Sequence, residues 1–208
     1  MMLPKSGSES CQRAFLVINV LIVNPGRAQI FFVIILLSAP LWLIRAELTL
    51  GEKYRINLVD VDGHTFSIDD GHIMTVVLTT QSNIDKARAV GDRTPDFCLG
   101  NPTYRMITVL AFEGKHSKPV RMILTSLMRR RIDSEARRLQ SRYDQLKIAR
   151  NARNDVFAVA DFDGTITSQL GAQPTSALFH VFVFGRNGEL LKQWNDVPTA
   201  EDLAATLR

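Results

Sequence analysis

The alternation of apolar and polar positions divides residues 47–208 into short strands and a few helices. Between residues 48 and 68, apolar and polar side chains alternate on both sides of Asp62-Gly63, which predicts a β-hairpin. Three later runs are continuously apolar, as expected for strands buried on both faces. These runs are MTVVLTT (74–80), RMITVLAF (105–112) and VFAVADF (156–162).

Helical patterns follow the first two of these runs. Residues 83–90 suit one short helix, and apolar residues at spacings of three and four predict one long amphipathic helix over residues 120–154. After the third run, LFHVFVFG and LLKQW flank the turn RNGE, which predicts a closing hairpin. Pro198 and Thr199 begin a last helix, with Asp202 placed for a capping box.

This order of elements predicts the fold class. Strands that alternate with helices favour an α/β fold with a central mixed sheet, parallel in its middle and flanked by helices. The N-terminal hairpin and the C-terminal antiparallel hairpin complete the expected architecture. A hydrophobic fraction of 46% and a charged fraction of 22% are typical of a folded domain.

The first 46 residues have a different pattern, because two apolar stretches, residues 14–23 and 30–44, dominate them. The second stretch is interrupted by Pro40 and is shorter than the roughly 20 apolar residues that cross a bilayer as a helix. It has the features of a secretory signal peptide, with a membrane anchor as the alternative.

Arg27 supplies the positive flank of this signal, and Ile44-x-Ala46 supplies a cleavage site of the small-residue type. A translation start near Val23 would make the signal more compact. We therefore expect a leader over residues 1–46 and a domain over residues 47–208. That domain is expected outside the cytoplasm, in the periplasm or secreted, with membrane anchoring as the alternative to release.

The sequence has two cysteines, and only Cys98 lies in the predicted domain, since Cys11 belongs to the leader. The domain cannot form an internal disulfide, so its stability must come from its hydrophobic core. The net charge of +4 permits an anionic partner without identifying one.

Two segments resemble the thioredoxin-like superfamily, specifically its exported redoxin and peroxiredoxin-type members. LGEKYRINLVDVDGHTFSI (50–68) resembles the N-terminal hairpin of a redoxin, and HVFVFGRNGELLKQWNDVPTAEDLAATL (180–207) resembles the closing strand, turn, strand and helix of the family. The resemblance covers residues 48–208 and implies a thioredoxin-like fold.

The resemblance also implies a low-pKa thiolate at a helix N-terminus just after the first buried strand. In this chain that place is residues 79–87 (TTQSNIDKA), which contain no cysteine. If residues 105–114 were the first strand, the place would be 114–122 (GKHSKPVRM), again without cysteine. Thiol-disulfide exchange through a Cys-x-x-Cys dithiol is therefore not expected.

A second departure concerns the cis-proline that precedes the closing strand in this family. Counting back from Gly188 places His180 at that position, with Pro174 lying earlier in the chain. Because cis peptide bonds are essentially confined to proline, the usual substrate-binding backbone geometry is not expected here.

Cys98 allows two interpretations. One is a reactive thiol that forms a mixed disulfide, which would make the protein a one-cysteine redox protein. The other is a small buried hydrophobic residue without reactivity, which is the more common state of a free cysteine.

The segment DFDGT (161–165) resembles the motif of haloacid-dehalogenase-like phosphatases, which implies Asp161 as nucleophile, Asp163 as general acid and Mg²⁺ as the ion. The other parts of such a site do not follow in the remaining sequence, since Lys192 lies in a hairpin and Glu201-Asp202 begin a helix. We therefore favour a strand end followed by a turn, with the phosphatase as an alternative.

The predicted long helix is rich in Lys and Arg over residues 121–154 and could contact an anionic membrane surface. A solvated helix face with paired charges is the simpler interpretation. Nucleic acid is not expected as a partner, because no aromatic residues alternate with the basic ones. The four histidines are scattered, so we expect no metal site, and no cofactor is indicated.

Together these patterns predict an exported or membrane-anchored protein with a thioredoxin-like fold and no redox-active dithiol. Its expected role is binding or scaffolding of an envelope partner near residues 79–87 or on the basic helix, rather than catalysis. The catalytic residues are unknown. A redox protein using Cys98 and a Mg²⁺-dependent phosphatase using residues 161–165 are the two alternatives.

Overall fold

The computed structural model describes residues 47–173, 175 and 177–208. The predicted leader lies outside the described residues. The N-terminal hairpin is formed by β1 (Asn57–Val59) and β2 (Thr65–Ser67), which pair antiparallel. In its turn, the buried carboxylate of Asp60 accepts hydrogen bonds from the backbone N–H of Asp62 and of His64, at 2.9 and 2.8 Å. The hairpin predicted around Asp62-Gly63 is confirmed.

A five-stranded sheet forms the centre of the domain. Its strands are β3 (Ile73–Thr79), β4 (Tyr104–Ala111), β5 (Phe157–Asp161), β6 (Phe179–Phe184) and β7 (Leu190–Trp194). The spatial order is β5-β4-β3-β6-β7; β3, β4 and β5 are parallel, whereas β6 pairs antiparallel with both β3 and β7. The mixed sheet predicted from the sequence is confirmed.

In the described part of the chain, four α-helices accompany the sheet: α1 (Ile84–Arg93), α2 (Lys118–Gln145), α3 (Thr165–Gln169) and α4 (Ala200–Thr206). Thr199 caps the last helix, because its Oγ1 accepts a hydrogen bond from the backbone N–H of Asp202 at 3.1 Å. The sequence pattern did not predict α3, a helix of little more than one turn.

The long helix ends earlier than predicted, at Gln145 instead of near residue 154. Lys147 adopts a left-handed backbone conformation, with φ at 56°. The N–H of Ile148 donates to the carbonyl of Tyr143 and the N–H of Lys147 to that of Asp144, which is the hydrogen-bond pattern of a Schellman ending. Glycine usually occupies this left-handed position, so a lysine there gave no stop signal.

The two faces of the sheet are covered by different elements. Alternate residues of the central strands, such as Val76 and Ile107, point to the face covered by the β1–β2 hairpin and α3. Residues of the opposite parity, such as Val77 and Val183, face α1 and α4. α2 packs over Leu110 and Ala158 on this second face. Strand order, strand directions and helix placement together give residues 48–208 a thioredoxin-like fold.

Candidate functional site

The carboxyl ends of the parallel strands lie at one edge of the sheet. We call this the carboxyl edge and define it by residues 79–83 after β3, 111–121 after β4 and 161–167 after β5. Ligand sites of open α/β sheets lie at such edges, because the loops and helix N-termini that follow the strands converge there. The predicted docking segment and the DFDGT segment both belong to this edge.

Residues 79–83 form a polar strand-to-helix turn. Thr79 and Thr80 are buried, whereas Gln81 and Ser82 are exposed on a short 3₁₀ turn that leads into α1. The hydroxyl groups of Thr80 and Ser82 are hydrogen-bonded at 2.9 Å. Asn83 Nδ2 donates to the carbonyl of Leu178 at 3.4 Å, which links this turn to the start of β6. The segment presents hydroxyl and amide groups to solvent, and it contains no thiol.

His180 does not lie where the sequence count placed it. β6 begins at Phe179, so His180 is the second residue of the strand and pairs with Leu78. The residue that directly precedes the closing strand is Leu178. The count from Gly188 was wrong, because β6 already begins at Phe179, one residue before His180. His180 is a half-buried sheet histidine with Nδ1 2.9 Å from Asn195 Oδ1, and Pro174 lies outside the described residues.

The Asp161 carboxylate is a structural group. Its side chain is buried, with only 2% of the residue exposed. Oδ2 accepts hydrogen bonds from the backbone N–H of Thr167 at 2.8 Å and from the Thr167 hydroxyl at 2.6 Å, and Oδ1 accepts from the N–H of Ile166 at 3.4 Å. These donors satisfy the first turn of α3, so the carboxylate closes the strand-to-helix turn.

The rest of the DFDGT segment completes the same turn. Gly164 has φ at 72°, a left-handed conformation that glycine adopts without strain. Asp163 is exposed, and hydrogen bonds from Thr165 hold the pKa of its carboxyl below the usual value. Among the described residues, no three His, Cys, Asp or Glu side chains lie close enough to hold a metal ion. The geometry agrees with a strand end and turn, and nothing in it supports the phosphatase alternative.

A crevice at the carboxyl edge was not predicted from the sequence. Phe112 and Phe162 stack at 4.6 Å between ring centroids, and the Arg121 guanidinium lies 5.3 Å from the Phe162 ring. Arg121 Nε donates to the His116 carbonyl at 3.1 Å. His116 Nδ1 is buried and has no hydrogen-bond partner among the described residues. Each phenylalanine directly follows a strand, and β4 and β5 are parallel neighbours, which is the sequence signal that could have paired them.

Cys98 lies far from this edge. It belongs to a short 3₁₀ turn between the end of α1 and the start of β4, and is therefore at the opposite edge of the sheet. A ten-residue helix separates it from residues 79–83, about 15 Å along the helix axis. Its side chain is 7% exposed, and burial raises the pKa of the thiol to about 12. This environment favours the protonated and unreactive form of the thiol.

The basic segment over residues 121–154 is not one helix, and several of its charges are neutralised by ion pairs. Among the described residues, the pairs are Arg129–Asp62, Arg138–Asp92, Arg138–Glu135, Arg142–Asp96, Arg150–Asp155, Arg153–Asp62 and Arg153–Asp133. Most of these pairs tie α2 and the turn after it to the rest of the domain. No helix in the described part of the chain is long and apolar enough to cross a membrane.

Comparison with known proteins yields similarity in structure only. No protein-family model matches the sequence, and no curated protein matches it. Three solved structures illustrate the similarity. The pneumococcal exposed lipoprotein thioredoxin Etrx1 of Streptococcus pneumoniae is 12% identical, with 74% of this chain and 98% of that one covered at a TM-score of 0.47.

StoA of Bacillus subtilis is 13% identical, with 76% of this chain and 99% of that chain covered at a TM-score of 0.44. A putative thiol:disulfide interchange protein DsbE of Chlorobium tepidum is 12% identical, with 78% and 100% covered at a TM-score of 0.46. Because these identities and scores are low, the fold assignment rests on the strand order and strand directions of the sheet itself. By that topology, the described domain has a thioredoxin-like fold.

Proposed function

We propose that this protein is an exported or membrane-anchored binding protein of the cell envelope that uses a thioredoxin-like domain without dithiol chemistry. The observation that carries the proposal is the composition of the turn after β3. Where the family resemblance expects a reactive thiolate, the chain has Thr80, Gln81, Ser82 and Asn83. Hydroxyl and amide groups on an exposed turn are suited to hydrogen bonding with a partner, not to covalent exchange.

The position of Cys98 supports the same proposal. It lies at the opposite edge of the sheet, it is buried, and burial raises the pKa of its thiol to about 12. A one-cysteine redox mechanism needs a thiolate that solvent can reach at neutral pH. Burial is the cause of the raised pKa, and it favours the protonated thiol over that thiolate.

A photo-crosslinking amino acid at Gln81 tests where the partner docks. The matched control is the same amino acid at Ser141, which is exposed on the last part of α2 near the opposite edge of the sheet. We expect a discrete adduct in intact cells from position 81 and none from position 141. Equal adducts from both positions, or none from position 81, would contradict docking at the carboxyl edge.

Export is part of the proposal and has its own test. N-terminal sequencing of the protein from the cell envelope should find a mature chain that begins close to Glu47. A mature chain that still contains Ser6–Glu9 would contradict both cleavage after residue 46 and a start near Val23.

We also propose that the first half of α2 contacts an anionic membrane surface. Met122, Ile123 and Leu127 are exposed by 72%, 61% and 52% although they are apolar. Ile123, Leu127 and Arg130 follow one another at helical spacings of four and three, so they share one face of the helix. Apolar and cationic side chains on one helix face are typical of helices that lie on anionic membranes.

Vesicle sedimentation tests this contact. We expect the protein to sediment with vesicles containing phosphatidylserine and not with pure phosphatidylcholine, and Leu127→Ser should weaken the association severalfold. Ser126→Ala, a neighbouring exposed change with no apolar loss, is the control. Binding that is equal for both vesicle types, or unchanged by Leu127→Ser, would contradict a membrane role for this face.

A further inference from the structure

Apart from the crevice at the carboxyl edge, the domain has a cavity between α2 and the sheet. Its volume is 240 Å³. Its floor is formed by β4 side chains that alternate toward α2, among them Tyr104, Met106 and Thr108. Its roof is formed by apolar side chains of α2: Met128, Ile132 and Leu139. This space is separate from the carboxyl-edge crevice of Phe112 and Phe162.

The cavity exists because small side chains lie where α2 crosses the sheet. Thr108 of β4 and Ala158 of β5 both line it, and neither fills the space beneath the helix. Met106 and Thr108 remain half-buried, whereas Ile107 and Val109, on the opposite face of the same strand, are completely buried. A central strand thus has one fully packed face and one face that opens into the cavity.

The shape of the cavity is elongated. Its lining follows β4 from Tyr104 to Leu110, which is about 20 Å at the usual rise of a strand. It follows α2 from Met128 to Tyr143, about 22 Å at the usual rise of a helix. A compact apolar cavity of about 150 Å³ is enough to bind benzene. The present space therefore suits a longer and narrower apolar molecule.

The mouth of the cavity is charged and has an excess of cations. Glu135 is engaged by both Arg88, at 2.6 Å, and Arg138, at 3.2 Å. Asp92 is paired with Arg138 at 2.9 Å. Arg131 also lines the cavity and is half-buried, and it has no hydrogen bond or ion pair within the described part of the chain. Its positive charge acts on the Glu135 carboxylate, which Arg88 and Arg138 already engage. Three guanidinium groups around one carboxylate leave positive charge uncompensated, which favours an anionic ligand group at this place.

We propose that this cavity binds a single-chain amphiphile, an alkyl chain with a terminal carboxylate. The chain lies along β4 beneath α2, and the carboxylate pairs with Arg131 at the mouth. This site is independent of the partner docking proposed for the carboxyl edge, since it involves a different set of residues. Burial of the chain supplies most of the affinity, and the ion pair selects the head group.

Three methionines make the proposal directly testable by NMR. Protein labelled with ¹³C at the methionine methyl groups is titrated with decanoate below its micelle concentration. Met106 and Met128 line the cavity, so their methyl signals should shift and saturate together. Met122 is exposed by 72% on the same helix and should not shift, which separates cavity binding from surface adsorption.

Gly91→Leu tests the location of the site. Gly91 lines the cavity from α1, and a Cβ built there meets only Met106 Cε, at 3.9 Å. The leucine side chain can therefore enter the cavity, and replacing glycine within a helix favours folding. We expect this variant to fold at least as stably as the wild type and to lose decanoate binding.

Arg131→Gln tests the head group, with Arg130→Gln as a matched control because Arg130 is exposed and does not line the cavity. Loss of a charge-assisted hydrogen bond should weaken decanoate binding about tenfold in Arg131→Gln. Binding of the neutral 1-decanol should be unchanged in either variant.

Three results would overturn the proposal. The first is the absence of saturable shifts at Met106 and Met128. The second is undiminished decanoate binding by Gly91→Leu. The third is equal affinity of the wild type for decanoate and 1-decanol, which would remove the role of Arg131. None of these results depends on whether residues 79–83 bind a partner.

Discussion

Two strand-to-helix turns at the carboxyl edge have opposite characters. The turn after β5 has the sequence of a phosphoryl-transfer motif, yet its key carboxylate, Asp161, is buried and satisfied by donors from Ile166 and Thr167. The turn after β3 has no recognisable motif, yet it exposes Gln81 and Ser82 at the place where the family resemblance expects chemistry. A motif indicates function only when its groups remain available to a ligand. Here the polar groups of the turn without a motif are exposed, whereas the key carboxylate of the motif is not.

The largest effect on stability is expected from a substitution that removes the Asp161 carboxylate from the turn after β5. Asp161→Asn keeps the volume but places an NH₂ group or a weaker acceptor opposite the donors of Thr167. We expect the free energy of unfolding to fall by about 2–3 kcal/mol, since a buried charge-assisted network is lost. Urea unfolding measures this change. The control, Asp163→Asn at the exposed position, should alter stability by less than about 0.5 kcal/mol, and equal effects at both positions would refute the assignment.

A smaller effect is expected at the left-handed residue of the same turn. Gly164 has φ at 72°, and no atom lies within 4 Å of a Cβ built there. The loss in Gly164→Ala should therefore come from the backbone alone, about 1 kcal/mol. Ser168→Ala, at an exposed position of α3, serves as the control in the same unfolding experiment. If the free energy of unfolding fell by well over 2 kcal/mol, the added methyl group would have to clash with neighbouring atoms, which would contradict the open space around Gly164.

Alkaline pH should reduce the stability of the fold through two buried groups near the edge opposite the carboxyl edge. Burial raises the pKa of both Cys98 and Tyr143 to about 12, and for Tyr143 the hydrogen bond to Asp155 adds to the shift. Both groups ionise at lower pH in the unfolded chain, so stability should be constant below about pH 8 and fall as pH rises toward 12. Cys98→Ala should reduce the slope between pH 9 and 11, and an unchanged slope would contradict the burial of this thiol.

The smallest effects are expected for the exposed groups. Gln81→Ala should leave stability within about 0.5 kcal/mol of the wild type, because the side chain is exposed. In an NMR titration with millimolar Mg²⁺, the amides of residues 161–165 should not shift, because the Asp161 carboxylate is buried and accepts hydrogen bonds from Ile166 and Thr167. Shifts that saturate at millimolar Mg²⁺ would revive the phosphatase alternative.

Much of the fold could be predicted from the sequence, because strands buried on both faces are nearly continuous apolar runs. Residues 74–80 and 156–162 are such runs, and Asp62-Gly63 and Gly188 mark the hairpin turns. The end of α2 could not be predicted, since Lys147 occupies a left-handed position that usually contains glycine. α3 was missed because its first turn is held by Asp161, a contact between residues six positions apart.

The candidate site was only partly accessible from sequence. The sequence alone shows that residues 79–87 contain no cysteine and that residues 161–165 form the DFDGT motif. The crevice depends on stacking between Phe112 and Phe162, and the cavity depends on how α2 lies over Thr108. Both require the relative positions of elements that are distant in the chain. The pairing of the α2 arginines likewise depends on acidic partners from other elements, such as Asp62 and Asp92.

The reactivity of Cys98 in the native protein tests whether the domain works without thiol chemistry. The protein is incubated at pH 7.5 with oxidised glutathione, with and without urea, and peptide mapping then resolves Cys98 from Cys11. We expect Cys98 to stay unmodified in the native state and to form the mixed disulfide once the chain is unfolded. Rapid modification of Cys98 in the native protein would contradict a binding role without thiol chemistry and would favour the one-cysteine redox alternative.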